Sequence, residues 1–285
     1  MRSKQDIREA MWAAMVQAGA SRSRNVHDRI PEFHGSKEAA DRVSDLAVWQ
    51  AAEVVKSNPD SPQRPLRQRA LQEGKVVYMA VPRLRSEQCF VELDPIVLEA
   101  TPAKAATIAG AFRHGRLVFV EEMRPVDLVI SGSVAVNRGG TRVGKGGGFA
   151  DLEYGLAMAA GIVGPDTPVV TTVHPIQLLE EDLPWTQHDV PLSYVGTAEE
   201  VIRCTGELPR PQGIYWDDLD ERKIAEIPIL QKLITARPTA TSTPTPQRVA
   251  HQPADLLPSL VFNENAFHSS SLFRPVFRFA GVEHL

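Results

Sequence analysis

Short, mostly apolar runs at residues 75–81, 117–120, 128–130, 169–173 and 192–195 alternate with helix-patterned segments at 3–18, 36–56, 101–114 and 152–163. A strand that is apolar at nearly every position needs cover on both faces, and parallel neighbours need a crossover between them, most often a helix. The alternation therefore predicts an α/β fold, a three-layer α/β/α sandwich around a mostly parallel sheet. With 285 residues the chain has length for one large α/β domain with a sizeable core.

The helical segments carry their own start and stop signals. Ser3 with Asp6 three residues later predicts a capped start, and Ile7, Met11 and Met15 recur on one face. Over 36–56 the stripe Val43, Leu46, Ala47, Ala51 and Val54 predicts one long helix, stopped by Asn58-Pro59-Asp60. Pro62 and Pro65 predict a loop entering a short helix that ends at Gly74, and Thr101 caps the helix predicted over 101–114. Pro125 and Asp127 set the direction of the strand beginning at Leu128. From residue 237 the character changes: 237–250 is rich in Pro and Thr and reads as a flexible linker, and 251–285 as a tail, docked or disordered, too short for its own core. The folded domain is expected over 1–236.

Between the run at 128–136 and the helix after it lies Gly139-Gly140-Thr141-Arg142-Val143-Gly144-Lys145-Gly146-Gly147-Gly148-Phe149-Ala150-Asp151. So little side chain lets backbone N–H groups converge on an anion, and a following helix N-terminus adds to their pull. Arg142 and Lys145 bring positive charge, and Asp151 is placed to hold a divalent cation or cap the helix. Gly139 with Gly144-Lys145 matches a Walker-type phosphate loop until Gly146 stands where a metal-binding Ser or Thr belongs. The dinucleotide fingerprint fails at its third glycine.

A formal net charge of −4 gives no reason to expect nucleic acid or a membrane surface as partner. Arg22, Arg24 and Arg29 read as solvated charges. Cys89 and Cys204 lack metal or disulfide spacing, and the start of the chain has no apolar signal core. A cytoplasmic protein, monomer or homodimer, is expected.

The residues from Arg142 to Asp151 resemble the Arg-x-Gly-x-Gly-Gly-Gly-Tyr-Tyr-Asp signature of the 5-formyltetrahydrofolate cyclo-ligase family, the methenyltetrahydrofolate synthetases. Four further segments match in order: Lys4 and Arg8; Gly74-Lys75 with Pro82-Arg83; Asp127 to Ile130; and Leu183-Pro184 with His188-Asp189-Val190-Pro191. The variant at Gly144–Tyr154, and the run from Asn58 to Gln63, are most similar to a divergent branch, the methenyltetrahydrofolate synthase domain-containing proteins. The resemblance implies a NagB/RpiA-like cyclo-ligase fold, with ATP and Mg2+ as cofactors. It implies that Lys4, Arg8, Arg142, Gly144, Lys145, Gly146, Gly147 and Gly148 bind ATP. Arg142, Lys145 and Asp151 would serve catalysis, with Asp151 on the metal.

In the family reaction an N-formyl oxygen attacks the γ-phosphate of ATP and a neighbouring amine then closes the ring, turning 5-formyltetrahydrofolate into 5,10-methenyltetrahydrofolate. The substrate half departs from that pattern. A family Glu that helps bind the pterin is replaced by Asn58, and the paired tyrosines by Phe149 and Ala150. Asn58, Asp60 and Phe149 are the expected substrate contacts; Arg64, Arg67 and Glu153 are further candidates to line a remodelled pocket, with plain surface charge the favoured reading of each. Two other readings stand beside folate: a cyclodehydratase acting on another N-formyl or amide compound, such as a formylglycyl unit becoming an oxazole or a thiamin-related metabolite, and a nucleotide-binding regulator without catalysis.

Overall fold

The computed structural model describes residues 2–236; the linker expected at 237–250 and the tail at 251–285 lie outside the described residues. The strands are β1 (Val54–Ser57), β2 (Val76–Ala80), β3 (Phe90–Leu93), β4 (Arg116–Val118), β5 (Leu128–Ile130) and β6 (Ala135–Asn137). They continue as β7 (Arg142–Val143), β8 (Val169–Thr172), β9 (Leu178–Leu179), β10 (Tyr194–Gly196) and β11 (Val201–Arg203). The helices are α1 (Lys4–Gln17), α2 (Ser36–Ser44), α3 (Ala47–Gln50), α4 (Arg64–Gln72) and α5 (Pro102–Ala105). After them come α6 (Ile108–His114), α7 (Phe149–Ala159), α8 (Glu221–Glu226) and α9 (Pro228–Ala236).

An eight-stranded sheet has the order β11-β10-β8-β5-β1-β2-β3-β4. Its five central strands, from β10 to β2, run parallel, and β11, β3 and β4 are antiparallel additions at the two edges. Side chains alternate across it as the pleat requires. Val54, Tyr78 and Val129 enter one core with α7 and α9, while Val55, Val77, Leu128 and Ile130 enter another with α2, α3, α4, α5 and α6. The layers are therefore helix, sheet, helix, as the alternation implied. A small sheet, β7-β6-β9, stands apart from the large one and packs with Ile7, Met11, Trp12 and Met15 of α1 in a third core. No described helix is long and apolar enough to cross a membrane.

Three expectations need correction. The long helix over 36–56 is two helices and then the innermost strand. The Ser44 hydroxyl bonds back to the Asp41 carbonyl at 2.6 Å, α2 ends there, and 54–57 pairs on both sides with β2 and β5. Val54 and Val55, which looked like part of a helical stripe, face opposite cores. The helix over 101–114 breaks where Thr107 accepts the Gly110 N–H at 2.9 Å and restarts the helix as its cap. The glycine-rich stretch divides: Gly139 and Gly140 turn the β6–β7 hairpin, and Gly144 to Gly148 alone form the loop entering α7.

The start of the central pairing is pinned by Asp127. One carboxylate oxygen accepts the N–H groups of Glu53 and Val54, both at 2.9 Å, and so sets β1 against β5. The chain passes from β1 through α4 to β2 on one side, while β5 lies on the other. At such a switch point the loops leave the carboxyl ends of neighbouring strands in opposite directions and open a crevice. Asp127→Ala is expected to lower unfolding free energy in urea by about 1.5–3 kcal/mol, the scale for hydrogen bonds to a charged acceptor, with Asp127→Asn recovering part. An unchanged midpoint would remove Asp127 as the register pin.

Candidate active site

Beyond the carboxyl ends of β1, β2 and β5 lies an open cleft of about 590 Å³, within the usual range for small-ligand sites. Asn58 and Asp60 border it after β1, Arg83 after β2, Gly132 after β5, and the loop from Gly144 to Gly148 with Phe149 and Asp151 closes the opposite wall. The loop needs its glycines: Gly146 and Gly148 have φ of 102° and 64°, and Gly148 ends in the left-handed conformation that starts α7.

The floor is a buried polar cluster. Lys56 and Glu153 are 1% and 3% exposed and meet at 2.7 Å, joining β1 to α7. The Asn58 amide donates to the same carboxylate at 2.6 Å and accepts the Gly132 N–H at 3.0 Å. Burial raises the Glu153 pKa, against the pull of Lys56 and Asn58. Asn58 thus lies at the cleft with its side chain engaged on both ends. Glu153, read from sequence as surface charge, is the acidic group of the floor.

Arg67 also proves not to be a surface charge. It is 1% exposed, and its guanidinium donates to the carbonyls of Asn58 at 2.7 Å, Asp60 at 3.0 Å and Ala106 at 3.1 Å. Burial lowers its pKa to about 10, opposed by Asp60 and assisted by Arg64. The loop after β1 is held in shape by a cation beneath it. A helical reading of α4 contained the signal, because Arg67 shares the face of Leu66, Ala70 and Leu71, all buried. Arg64 instead bonds the Ala103 carbonyl, away from the cleft.

Three expected cations line the cleft, and each has an internal partner. Arg142 donates to Asp151 at 2.5 Å and to the Gly132 carbonyl at 2.9 Å, while its buried Nε has no partner among the described residues. Lys145 bonds Asp60 at 2.6 Å. Arg8 donates to the Gly144 carbonyl at 2.7 Å, and burial lowers its pKa against Asp189. Lys4 is not part of the wall; it pairs with Asp189 and Thr186. Burial raises the Asp189 pKa, but bonds from Lys4 and Thr186 outweigh it, and the net shift is downward.

Sequence reasoning missed two features of this wall. Asp28 and Arg83, at φ of 57° and 58°, both border the cleft, and with Leu84 they are the only non-glycine residues of positive φ among those described. An L-residue held there costs about 1–2 kcal/mol, and such strain gathers at binding sites. Arg83 has no hydrogen bond or ion pair among the described residues. The second feature is Lys223 of α8, whose ammonium donates to the Gly147 carbonyl at 2.8 Å.

The donor set bears on a metal ion. Among the described residues no three His, Cys, Asp or Glu gather closely enough to cage one. Asp151 borders the cleft, and its Oδ1 accepts the Val190 N–H at 3.2 Å as well as the Arg142 guanidinium. A single carboxylate at the cleft suits Mg2+, which is ordinarily held by one or two, with phosphate and water oxygens completing its shell.

Residues 1–198 match the model of the 5-formyltetrahydrofolate cyclo-ligase family. The methenyltetrahydrofolate synthase domain-containing protein of Bos taurus is 38% identical over 237 residues, covering 81% of this chain and 62% of its own length. The Homo sapiens protein of the same name is 38% identical over 236 residues, 81% of this chain and 61% of its own. The chain thus spans about three fifths of the length of these curated relatives. Among solved structures, the Aquifex aeolicus 5,10-methenyltetrahydrofolate synthetase aligns at 19% identity and a TM-score of 0.46, covering 76% of this chain and 99% of that one.

Two measurements test this arrangement. Glu153→Gln leaves the Lys56 ammonium buried without its counter-charge, so a loss of about 3–5 kcal/mol is expected in denaturant. The double change Lys56→Met, Glu153→Leu should recover most of it; equal losses would show that packing alone holds this seam. For Asp189, the folded pKa lies below the ordinary 3.8, so its stabilisation is present above that pH and lost as pH falls through the folded value. Asp189→Asn should therefore flatten the acid limb of the stability profile below about pH 4, and an unchanged limb would contradict the assignment.

Proposed function

We propose, because the chain belongs to the 5-formyltetrahydrofolate cyclo-ligase family, that the cleft holds ATP on its glycine loop and uses it to close a C–N ring on an N-formyl substrate. The substrate that the family supports first is 5-formyltetrahydrofolate, with 5,10-methenyltetrahydrofolate as product. One observation carries the reading: Arg142 ties Asp151 at the start of α7 to Gly132 at the end of β5, so loop, carboxylate and cation share one wall.

The chemistry asks for a good leaving group where the substrate has a poor one. The formyl oxygen attacks the γ-phosphorus, ADP departs, and the neighbouring amine adds to the activated carbon as the phosphorylated oxygen leaves with its phosphate. Negative charge spreads over the phosphoryl oxygens in the first step, and stabilising it needs fixed cations and N–H donors. Lys145 and Arg8 supply that charge at the two sides of the loop, and Arg142 adds a donor that is already desolvated. Asp60 would release Lys145 to a phosphate and face the substrate. Lys4 holds Asp189, the residue before the Val190 whose N–H meets Asp151. Asp151 would hold Mg2+, which neutralises polyphosphate charge when bound.

A second substrate is favoured by the floor. Where the family has a pterin-binding Glu, Asn58 here spends its amide on Glu153 and Gly132, so the acidic group approaches from α7 instead of from the loop after β1. Phe149 faces the same cleft without the paired tyrosine hydroxyls. A cyclodehydratase acting on another N-formyl or amide compound keeps every phosphate contact and changes only this half.

The test is ATP consumption by the full chain with 5-formyltetrahydrofolate, followed together with absorbance of the methenyl product. Product formation is expected, and Asp151→Asn should reduce it by about 100-fold or more. ATP turnover with a different formamide only would replace the folate reading. Absence of turnover with any formamide would overturn the ligase reading.

A further inference from the structure

Residue 198 ends the match with the family model, yet the glycine loop is gripped from further along the chain. Lys223 donates from Nζ to the Gly147 carbonyl at 2.8 Å and stands 5.3 Å from the centre of the Phe149 ring. A Cβ on Gly148 would lie 2.9 Å from the same ammonium. Burial lowers the Lys223 pKa, while Asp220 and Asp151 pull it upward.

The segment that carries Lys223 is built onto α7. Gly155 admits the Gly213 carbonyl to where a Cβ would be 2.7 Å away, and Ile214, Leu219 and Ile224 pack on the core beneath. Asp218 meets His188 at 2.7 Å, and Asp220 accepts the Lys223 N–H at 2.6 Å, fixing the start of α8. A cavity of about 70 Å³ along this seam is bordered by Gly148, Asp151, His188 and Lys223. Lys223 is thus placed by contacts spread over several residues.

No peptide bond among the described residues is cis. In a trans peptide the carbonyl and the following N–H point in opposite directions. A cation holding the Gly147 carbonyl therefore turns the Gly148 N–H away from α8. At the other end Arg8 holds the Gly144 carbonyl at 2.7 Å and by the same geometry turns the Lys145 N–H away from its own guanidinium. Five residues containing four glycines would otherwise have wide backbone freedom.

We infer that Lys223 is a positioning residue for polyphosphate binding. It latches the loop from a segment beyond residue 198, where the match with the family model ends, so that the donors are aligned before a nucleotide arrives. The assignment rests on the ATP reading above, and two independent measurements separate it from that reading. In the nucleotide-free full chain, Lys223→Met should raise amide hydrogen exchange at 146–149 by about tenfold or more. It should weaken ATP binding in calorimetry by about tenfold while leaving adenosine binding and the thermal midpoint unchanged, and Lys223→Arg should restore most of both. Loop exchange within twofold of the unaltered chain would overturn the latch. So would faster exchange spread through α7 and α9, or equal loss of adenosine and ATP affinity. If the unaltered chain binds no ATP, the ATP reading fails and loop exchange alone decides whether Lys223 is a latch.

Discussion

Lys56 and Glu153 form the contact on which the rest of the cleft depends. Two opposite charges, each almost wholly buried, join the innermost strand of the sheet to the helix that follows the glycine loop. Desolvating a charge costs several kcal/mol, and a buried pair offsets that cost only if its geometry is good and its remaining polar atoms are bonded. Asn58 meets that condition for Glu153, and through Gly132 it extends the network to the end of β5. Apolar packing would hold α7 on the sheet about as well. The ionic network ties α7 to β1 at Glu153, two residues beyond Asp151.

Above this floor the wall is held by backbone carbonyls as much as by side chains. Arg8, Arg67, Arg142 and Lys223 each spend at least one donor on a carbonyl of the loops that border the cleft. Carbonyls in glycine-rich or proline-rich loops lack the regular partners of helix or sheet, and a buried one left unbonded is costly. Cations that meet this need also bring positive charge to the edge of the cleft, so loop order and anion attraction come from the same residues. Lys145 differs, because its partner is the Asp60 carboxylate at the cleft itself.

Much of the fold was legible because its signals are local. The capping box of Ser3 and Asp6, the buried run of β2, and the start of β5 at Leu128 follow from residue type and spacing over a few positions. The failures have a common cause. Val54 to Ser57 carried a pattern compatible with a helix, and only pairing with β2 and β5, supplied by segments far along the chain, made it a strand. β3 and β11 were unread for the same reason, since antiparallel edges take their partners from the sheet. Arg64 and Arg67 show the limit at the level of one side chain: three residues apart on one helix, one lies apart from the cleft and the other is buried beneath its loop.

The sequence by itself determined the chemistry of the loop: a run of glycines, cations at Arg142 and Lys145, a carboxylate at Asp151, and a strand and helix to hold them. These depend on residue type and short spacing, which the chain carries wherever it folds. Tertiary structure decided which charges are neighbours. It set Lys56 against Glu153 across 97 positions, Lys145 against Asp60 across 85, and Lys223 against Gly147 across 76. Separations of that size leave no periodicity in the sequence, because they are fixed by the order of strands in the sheet and by the rotation of one helix upon it.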